Sequence, residues 1–354
     1  MTIIPDPSSG TCPVPLPEVE RVLLGHGSGG RLSAELIGDV LVPALGEAAP
    51  PGPLEDAATF AVGGAELAVS TDAYVVSPLF FAGGDIGSLA VHGTVNDLAM
   101  RAAMPVALTI AYVIEEGFPL ADLRRIAESV GASARDAGVP VLTGDTKVVG
   151  RGAADGIFVV STGVGRRLPG AAPSAAAAAP GDVVLLSGPL GCHGTTVLSA
   201  REGLGFDTDI ASDTQPLHRL VEAMVTVGGT AVHTLRDPTR GGLASALNEI
   251  ARDSHVGVEV EERALPVPAA VQAACELLGL DPAQVANEGC LVAFVAPELA
   301  DAVLAAMRSR PEGRNAVRIG TATDTEPGRV IVRTAVGSRR VLDMLVGEQL
   351  PRIC

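Results

Sequence analysis

The sequence predicts an α/β protein of two domains, and three observations carry that prediction. Its 354 residues suffice for about two ordinary domains with well-buried cores. Apolar strand-like runs and amphipathic helix-like stretches mix in a similar order in both halves. Between the halves, the segment 166–181 carries Pro169, Pro173, Pro180 and an alanine run over 175–179, which is linker composition. A hydrophobic content of 47% with 19% charged residues excludes a disordered chain.

Taken in order, residues 1–36 form a Pro- and Gly-rich segment expected to be flexible until something orders it. A domain over 37–165 follows, with a strand at 66–71, a helix at 87–103 and a strand at 106–114. A helix at 120–137 and strands at 141–143 and 157–163 complete it. After the linker, a domain over 182–340 opens with a strand at 182–187 and helices at 194–202 and 214–227. A strand at 232–235 leads to helices at 241–252 and 269–278; strands at 291–295 and 317–320 flank a helix at 297–309. Residues 341–354 read as a mobile tail.

Charge and composition narrow the function. Lys+Arg 25 against Asp+Glu 41 gives a net charge of −16, which repels phosphodiester backbones and anionic lipid. Nucleic acid and membrane are therefore not expected partners, although carboxylates can still hold a nucleotide through a divalent metal. Residues 1–18 lack a basic segment and are broken by prolines, so no signal peptide is expected. Apolar runs are too short for a membrane span. The cysteines at 12, 192, 275, 290 and 354 are odd in number and widely spaced, which argues against disulfides and for a reducing cytoplasm. Lys147 is the single lysine beside 24 arginines.

Several motifs carry chemistry. GHGSGG at 25–30 satisfies GxGxxG by letter, but no well-formed strand precedes it, so a dinucleotide fold is not expected. What remains is a glycine loop that either closes over an anion or simply turns. Asp56, Asp72, Asp97 and Asp145 each sit beside apolar sequence. Read singly, each is more readily a cap or turn residue than a ligand; together they point to metal–nucleotide binding. In Gly144, Asp145, Thr146 and Lys147, read as a turn, the lysine can cancel charge on a transferred phosphoryl group or hydrogen-bond a reacting carbonyl. RDPTRGG at 236–242 turns into a helix, where Asp237 and Thr239 either cap it or touch a ligand. Glu288 lies in a turn before an apolar strand, and alone reads as nothing more. Cys354 ends the chain on a tail of roughly ten residues that can carry its sulfur about 30 Å.

Together these pieces resemble the superfamily of aminoimidazole-ribonucleotide synthetase, selenophosphate synthetase and thiamine-monophosphate kinase. They look most like its hydrogenase-maturation branch, the HypE carbamoyl dehydratases. The resemblance runs from about residue 24 to residue 354. It rests on GHGSGG, STDAYVVSPLFF at 70–81 with the following glycines, TGDTKVV at 143–149, RDPTRGG, ANEG at 286–289 and the terminal PRIC. Cys192 departs from it, standing where the family more often has Asp before His193.

The resemblance implies a two-domain aminoimidazole-ribonucleotide-synthetase-like fold whose N-terminal sheet pairs in a homodimer. It implies ATP and Mg²⁺, bound in the interdomain cleft under the glycine segment. Gly27, Ser28, Gly29, Gly30, Asn96, Gly144, Thr146, Asp237 and Thr239 would bind the nucleotide, and Asp56, Asp72, Asp97 and Asp145 also the metal. Cys354 would accept a carbamoyl group from a carbamoyltransferase, HypF. Its ATP-dependent dehydration to thiocyanate, with Lys147 and Glu288 acting on the loaded group, would supply cyanide through a HypC–HypD scaffold to the iron of [NiFe]-hydrogenase. Rival readings are another ATP-dependent synthetase of the superfamily, of selenophosphate or purine type, and a non-catalytic metal or cyanide carrier.

Overall fold

The computed structural model describes residues 21–49, 54–202, 210–345 and 352–354. The expectations of flexibility for residues 1–20 and for 346–351 of the tail lie outside the described residues. The described chain opens with a helical arm containing α1 (Arg31–Glu35) and α2 (Val42–Leu45).

The first sheet is formed by β1 (Ala58–Val62), β2 (Ala65–Tyr74), β5 (Ala103–Glu115), β6 (Val141–Val149) and β7 (Ile157–Arg167), in the order β1-β2-β7-β5-β6. A two-stranded ribbon, β3 (Phe80–Phe81) and β4 (Gly84–Asp85), leads into α3 (Ile86–Met100), and α4 (Leu120–Ala137) joins β5 to β6. That helical crossover is why β5 and β6 run parallel while the other neighbours are antiparallel. Asp85 caps α3, accepting from the N–H groups of Gly87 at 2.7 Å and Ser88 at 3.0 Å. α3 is buried along almost its whole length. Its Leu89 and Val95 share a core with Leu108 of β5, Val159 of β7 and Ile126 of α4.

An irregular stretch from Leu168 to Asp182 separates the sheets. It is fastened rather than loose: Glu55 accepts from Ser174 Oγ at 2.5 Å and from the Ala175 N–H at 3.0 Å. The second domain contains β8 (Val183–Leu186), α5 (Cys192–Glu202), α6 (His218–Gly228), β9 (Val232–Arg236), α7 (Gly242–Asp253) and β10 (Gly257–Glu261). It continues with α8 (Ala269–Leu278), β11 (Val292–Val295), α9 (Pro297–Arg308), β12 (Val317–Thr323), β13 (Val330–Arg333) and β14 (Arg339–Val341). The sheet order is β14-β13-β10-β12-β8-β11-β9. β8 is apolar throughout because both its faces are covered: Val184 and Leu186 meet α7, whereas Val183 and Leu185 meet α6 and α9.

Three expectations are corrected. The strand foreseen at 141–143 continues to Val149, because the ladder to β5 runs from Leu108 to Glu115 and carries Gly144 to Lys147 with it. The helix foreseen at 214 begins at His218. Pro216 disfavours helix before it, and the Leu217 N–H is taken by Asn96 Oδ1 at 2.8 Å. β1, β3, β4, β10, β13 and β14 were not foreseen; the short β13 and β14 are stabilised by neighbouring strands rather than by local pattern.

Candidate active site

A cavity of about 270 Å³ lies where β2, α3, the turn from β9 to α7 and the chain terminus meet. Strand β2 contributes Ser70 to Tyr74, α3 contributes Gly93 and Asp97, and the turn contributes Arg236, Asp237, Thr239 and Arg240. Helix α7 contributes Gly242, Ser245, Ala246 and Glu249, and Gly29, Asp56, Glu288 and Cys354 complete the wall. A Cβ on Gly93 would stand 2.2 Å from Tyr74 Oη. Only glycine there lets the phenol enter and donate to Asp72 Oδ2 at 3.1 Å.

Three carboxylates define the cavity electrically. Ligand atoms of Asp56, Asp97 and Asp237 lie within 4.8 Å of one another. Arg236 is 3.1 Å from Asp56 and 2.5 Å from Glu249, and Ser70 Oγ donates to Asp97 at 2.5 Å. Burial pushes all three carboxyls up. For Asp97 the charges of Asp72, Asp237 and Asp56 add to it. For Asp56, burial outweighs the opposing pull of Arg236. Asp237 rises to about 6, from burial first, with Arg236 opposing and Asp72 adding. A cluster of oxygen donors that repel one another this strongly fits a hard dication such as Mg²⁺, whose charge would relieve the repulsion.

The tail reaches the same cavity. Ser77 N–H donates to the Arg352 carbonyl at 3.1 Å and Val75 N–H to the Cys354 carbonyl at 3.0 Å. Arg352 returns a bond from Nε to Val75 O at 2.9 Å and pairs with Asp155. Cys354 keeps part of its surface accessible, yet its thiol is pushed up to about 12. Burial is the main cause; Arg240 opposes it, while Glu288, Asp72 and Asp237 add to it.

Glu288 is 3% exposed, and its Oε1 finds no hydrogen-bond partner among the described residues. Its carboxyl is driven well above the usual range by burial, then by Asp237, Asp213 and Asp72, against Arg240. The backbone around it is held firmly. Asp213 accepts from the N–H groups of Glu288 at 3.2 Å and Gly289 at 3.0 Å. Asn287, fully buried, accepts from Gly191 N–H at 2.7 Å and donates to Pro238 O at 2.9 Å.

Asp56, Asp72, Asp97, Asp237, Thr239, Glu288 and Cys354 thus meet in one cavity. Asp237 does not cap α7, whose N-cap is Gly241 without a side-chain bond. Of the glycine loop, Gly29 lines the cavity, while Gly27 and Gly30 line an adjoining groove. A Cβ on Gly29, at φ +74°, would meet Arg240 Cβ at 2.6 Å. Ser28 spends its hydroxyl on Gly25 O at 2.7 Å.

The remaining predicted residues are not brought in by this chain. Asn96 uses both ends of its amide on backbone: it accepts from Leu217 and donates to Gln215 O at 3.1 Å and Glu288 O at 3.3 Å. Its part is to support Glu288. Gly144, Asp145, Thr146 and Lys147 lie on the exposed outer strand β6, outside the cavity, because this segment is strand and not a turn. There Lys147 Nζ pairs with Asp145 at 2.8 Å and, with the Thr146 N–H, holds that carboxyl below its ordinary value. Asp237, not Asp145, completes the carboxylate trio. Sequence reasoning missed Tyr74, Arg236, Arg240 and Glu249. The first three stand inside motifs it had singled out, whereas Glu249 lies mid-helix in α7 and carries no signal of its own.

Comparison with known proteins shows the fold and the family. The family model for the AIR synthase related protein, N-terminal domain, matches residues 54–167, and that for the C-terminal domain matches residues 179–333. The carbamoyl dehydratase HypE of Cupriavidus necator is 55% identical over 336 residues, 94% of this chain and 95% of that one. A solved HypE–HypF complex contains a chain of 45% identity and TM-score 0.83, with 88% of this chain and 99% of that chain covered. A hydrogenase maturation protein HypE solved in complex with ATP has 48% identity and TM-score 0.79, with 94% and 100% covered. The chain belongs to the carbamoyl dehydratase HypE family, within the AIR synthase related proteins.

Proposed function

We propose that this chain uses ATP to dehydrate a carbamoyl group on the sulfur of Cys354, forming an S-bound thiocyanate that supplies cyanide for the iron of [NiFe]-hydrogenase. The observation that carries the reading is the entry of Cys354 into the cavity that holds Glu288 and the carboxylate cluster. An amide oxygen leaves poorly and phosphate leaves well, so a thiol carrying the amide and a phosphoryl-transfer site belong together. The carboxamide oxygen takes the γ-phosphoryl group as ADP departs and nitrogen loses one proton. Breaking the C–O bond then releases phosphate, and loss of the second proton leaves the nitrile. Glu288 is the acceptor: a carboxylate whose proton affinity is raised by burial is a stronger base than an exposed one. Arg240 lies where its charge favours negative charge developing on the loaded group. Asp56, Asp97 and Asp237, with Asp72 beside them, would hold Mg²⁺, which when bound neutralises phosphate charge.

Lys147 and Asp145 enter this reading through a second copy. Outer strand β6 exposes Leu142 and Val148 at 70% and 68%, and such an edge calls for a partner. A homodimer formed there carries Lys147 and Asp145 of one chain toward the cavity of the other. HypF is the carbamoyl donor, a reading supported by the HypE–HypF complex of a relative, and a HypC–HypD scaffold receives the cyano group. The cytoplasm is the setting, consistent with free thiols at Cys192, Cys275, Cys290 and Cys354. No helix among the described residues is long and apolar enough to cross a membrane.

Intact mass after incubation with the carbamoyl donor system tests the reaction. Addition of a carbamoyl group, followed by loss of one water only when ATP is present, is the expected result. A carbamoylated chain that keeps its water with ATP present overturns it. A selenophosphate or purine-type synthetase would turn over with Cys354→Ala; this chain should not form product.

A further inference from the structure

The last three residues are gripped from the second domain as well as from β2. His193, near the start of α5, is fully buried, with Nε2 2.7 Å from the Ile353 carbonyl. A carbonyl only accepts, so Nε2 carries the proton. Burial lowers the ring to about 4, so it is neutral and its Nδ1 accepts from Ser212 Oγ at 2.8 Å. Ser212 Oγ accepts in turn from the Thr214 N–H at 3.2 Å. Further along α5, Arg201 donates from Nη2 to the Arg352 carbonyl at 2.8 Å and from Nε to the Ser77 carbonyl at 2.9 Å. The neighbour of Ser212 is Asp213, which fastens the backbone of Glu288 and Gly289. One short segment therefore secures both the ring that holds the tail and the turn that holds the base.

A buried imidazole is costly to desolvate, and an aliphatic side chain would fill the space without that cost. Neither His193 nor Arg201 lines the acid cavity, so neither touches the reacting group. Their hydrogen-bonding groups are aimed at main chain one and two residues before the acceptor cysteine.

We propose that His193 and Arg201 are positioning residues of the dehydration step: they hold the carbonyls of Ile353 and Arg352 so that the sulfur of Cys354 enters the cavity in register with Glu288. The proposal deepens the dehydratase reading and rests on Cys354 as the acceptor. Bonds of this kind are individually modest, so the tail can be held for chemistry and still be released to a carbamoyl donor.

The test uses the full chain and reads Cys354 exposure directly, by its rate of alkylation with iodoacetamide followed by peptide mass spectrometry. His193→Ala and Arg201→Ala should each raise that rate about tenfold, the ratio set by losing one buried hydrogen bond. Alkylation of Cys192 should not change. His193→Gln, which keeps an N–H donor, should return the rate toward that of the native chain. In single-turnover reactions the alanine variants should accept the carbamoyl group at least as fast as the native chain and lose water about tenfold more slowly, with ATP affinity unchanged. Native alkylation rates in both alanine variants overturn the proposal. So does an equal rise at Cys192 and Cys354, which would mean general loosening of α5. If His193→Ala fails to fold, Arg201→Ala and His193→Gln decide the matter by the same readings. The alkylation arm needs no carbamoyl donor, so it reports on the clamp even where the native chain fails the mass test for dehydration.

Discussion

Asn96, buried in α3 of the first domain, donates its side-chain amide to the carbonyl of Glu288 in the second at 3.3 Å. The same amide nitrogen donates to Gln215 O at 3.1 Å. A helix of one domain thus braces the candidate base of the other, so the base keeps its height only while the domains are docked. Asn96→Ala should leave three backbone groups short of a partner and cost about 1–3 kcal/mol. Thermal unfolding measures the loss, and dehydration rate should fall with ATP binding largely retained.

Asp97→Asn and Asp237→Asn should abolish magnesium-dependent ATP hydrolysis and leave the chain folded. Both carboxyls are raised by burial and by acidic neighbours, so a neutral amide removes repulsion. The metal-free variants should melt at or above the native temperature. Magnesium-dependent turnover in both variants, measured by phosphate release, would sink the cluster as the metal site.

The pH dependence has a definite sign. Asp237 is raised to about 6 from an ordinary 3.8. A group raised on folding stabilises fully below its unfolded value, and that contribution is lost as pH rises through the folded value. Between pH 5 and 8 the metal-free chain should therefore lose on the order of 1–3 kcal/mol through this residue. Melting scans in chelator should show the loss, and Asp237→Asn should flatten it. Magnesium should raise the melting temperature more at pH 8 than at pH 5.

Glu288→Gln should accept the carbamoyl group and stall before loss of water. Its Oε1 has no hydrogen-bond partner among the described residues, so the substitution should not destabilise the fold. Thiocyanate formation at the native rate would move proton acceptance to another group. For the native chain, single-turnover dehydration should slow as pH falls through the raised Glu288 value, because only the ionised carboxylate accepts a proton.

Lys147 tests the second copy. Mixing inactive Lys147→Ala with inactive Cys354→Ala gives mixed dimers with one intact composite site, provided the lysine serves the other chain's cavity. Random exchange should then restore roughly a quarter of native activity. A lysine acting within its own chain restores none.

Local pattern alone determined much of this protein. The helix at 120–137 is observed at those bounds as α4, stopped by Gly138 at φ +70°, because apolar period and a left-handed cap are local properties. Asp56 and Asp97, two members of the observed carboxylate trio, were legible as candidate ligands from residue type and from their places beside rigid elements. Which acid completes the trio was not. Asp145 and Asp237 both follow apolar runs and both look like turn residues. The parallel ladder to β5 keeps Asp145 on an open strand, whereas the end of β9 delivers Asp237 into the cavity. Likewise nothing around His193 indicates that its ring meets Ile353, 160 residues away. Periodicity and caps act over a few residues, so a sequence can announce them. The meeting of distant polar groups depends on how the two domains pack, and only the tertiary structure decided it.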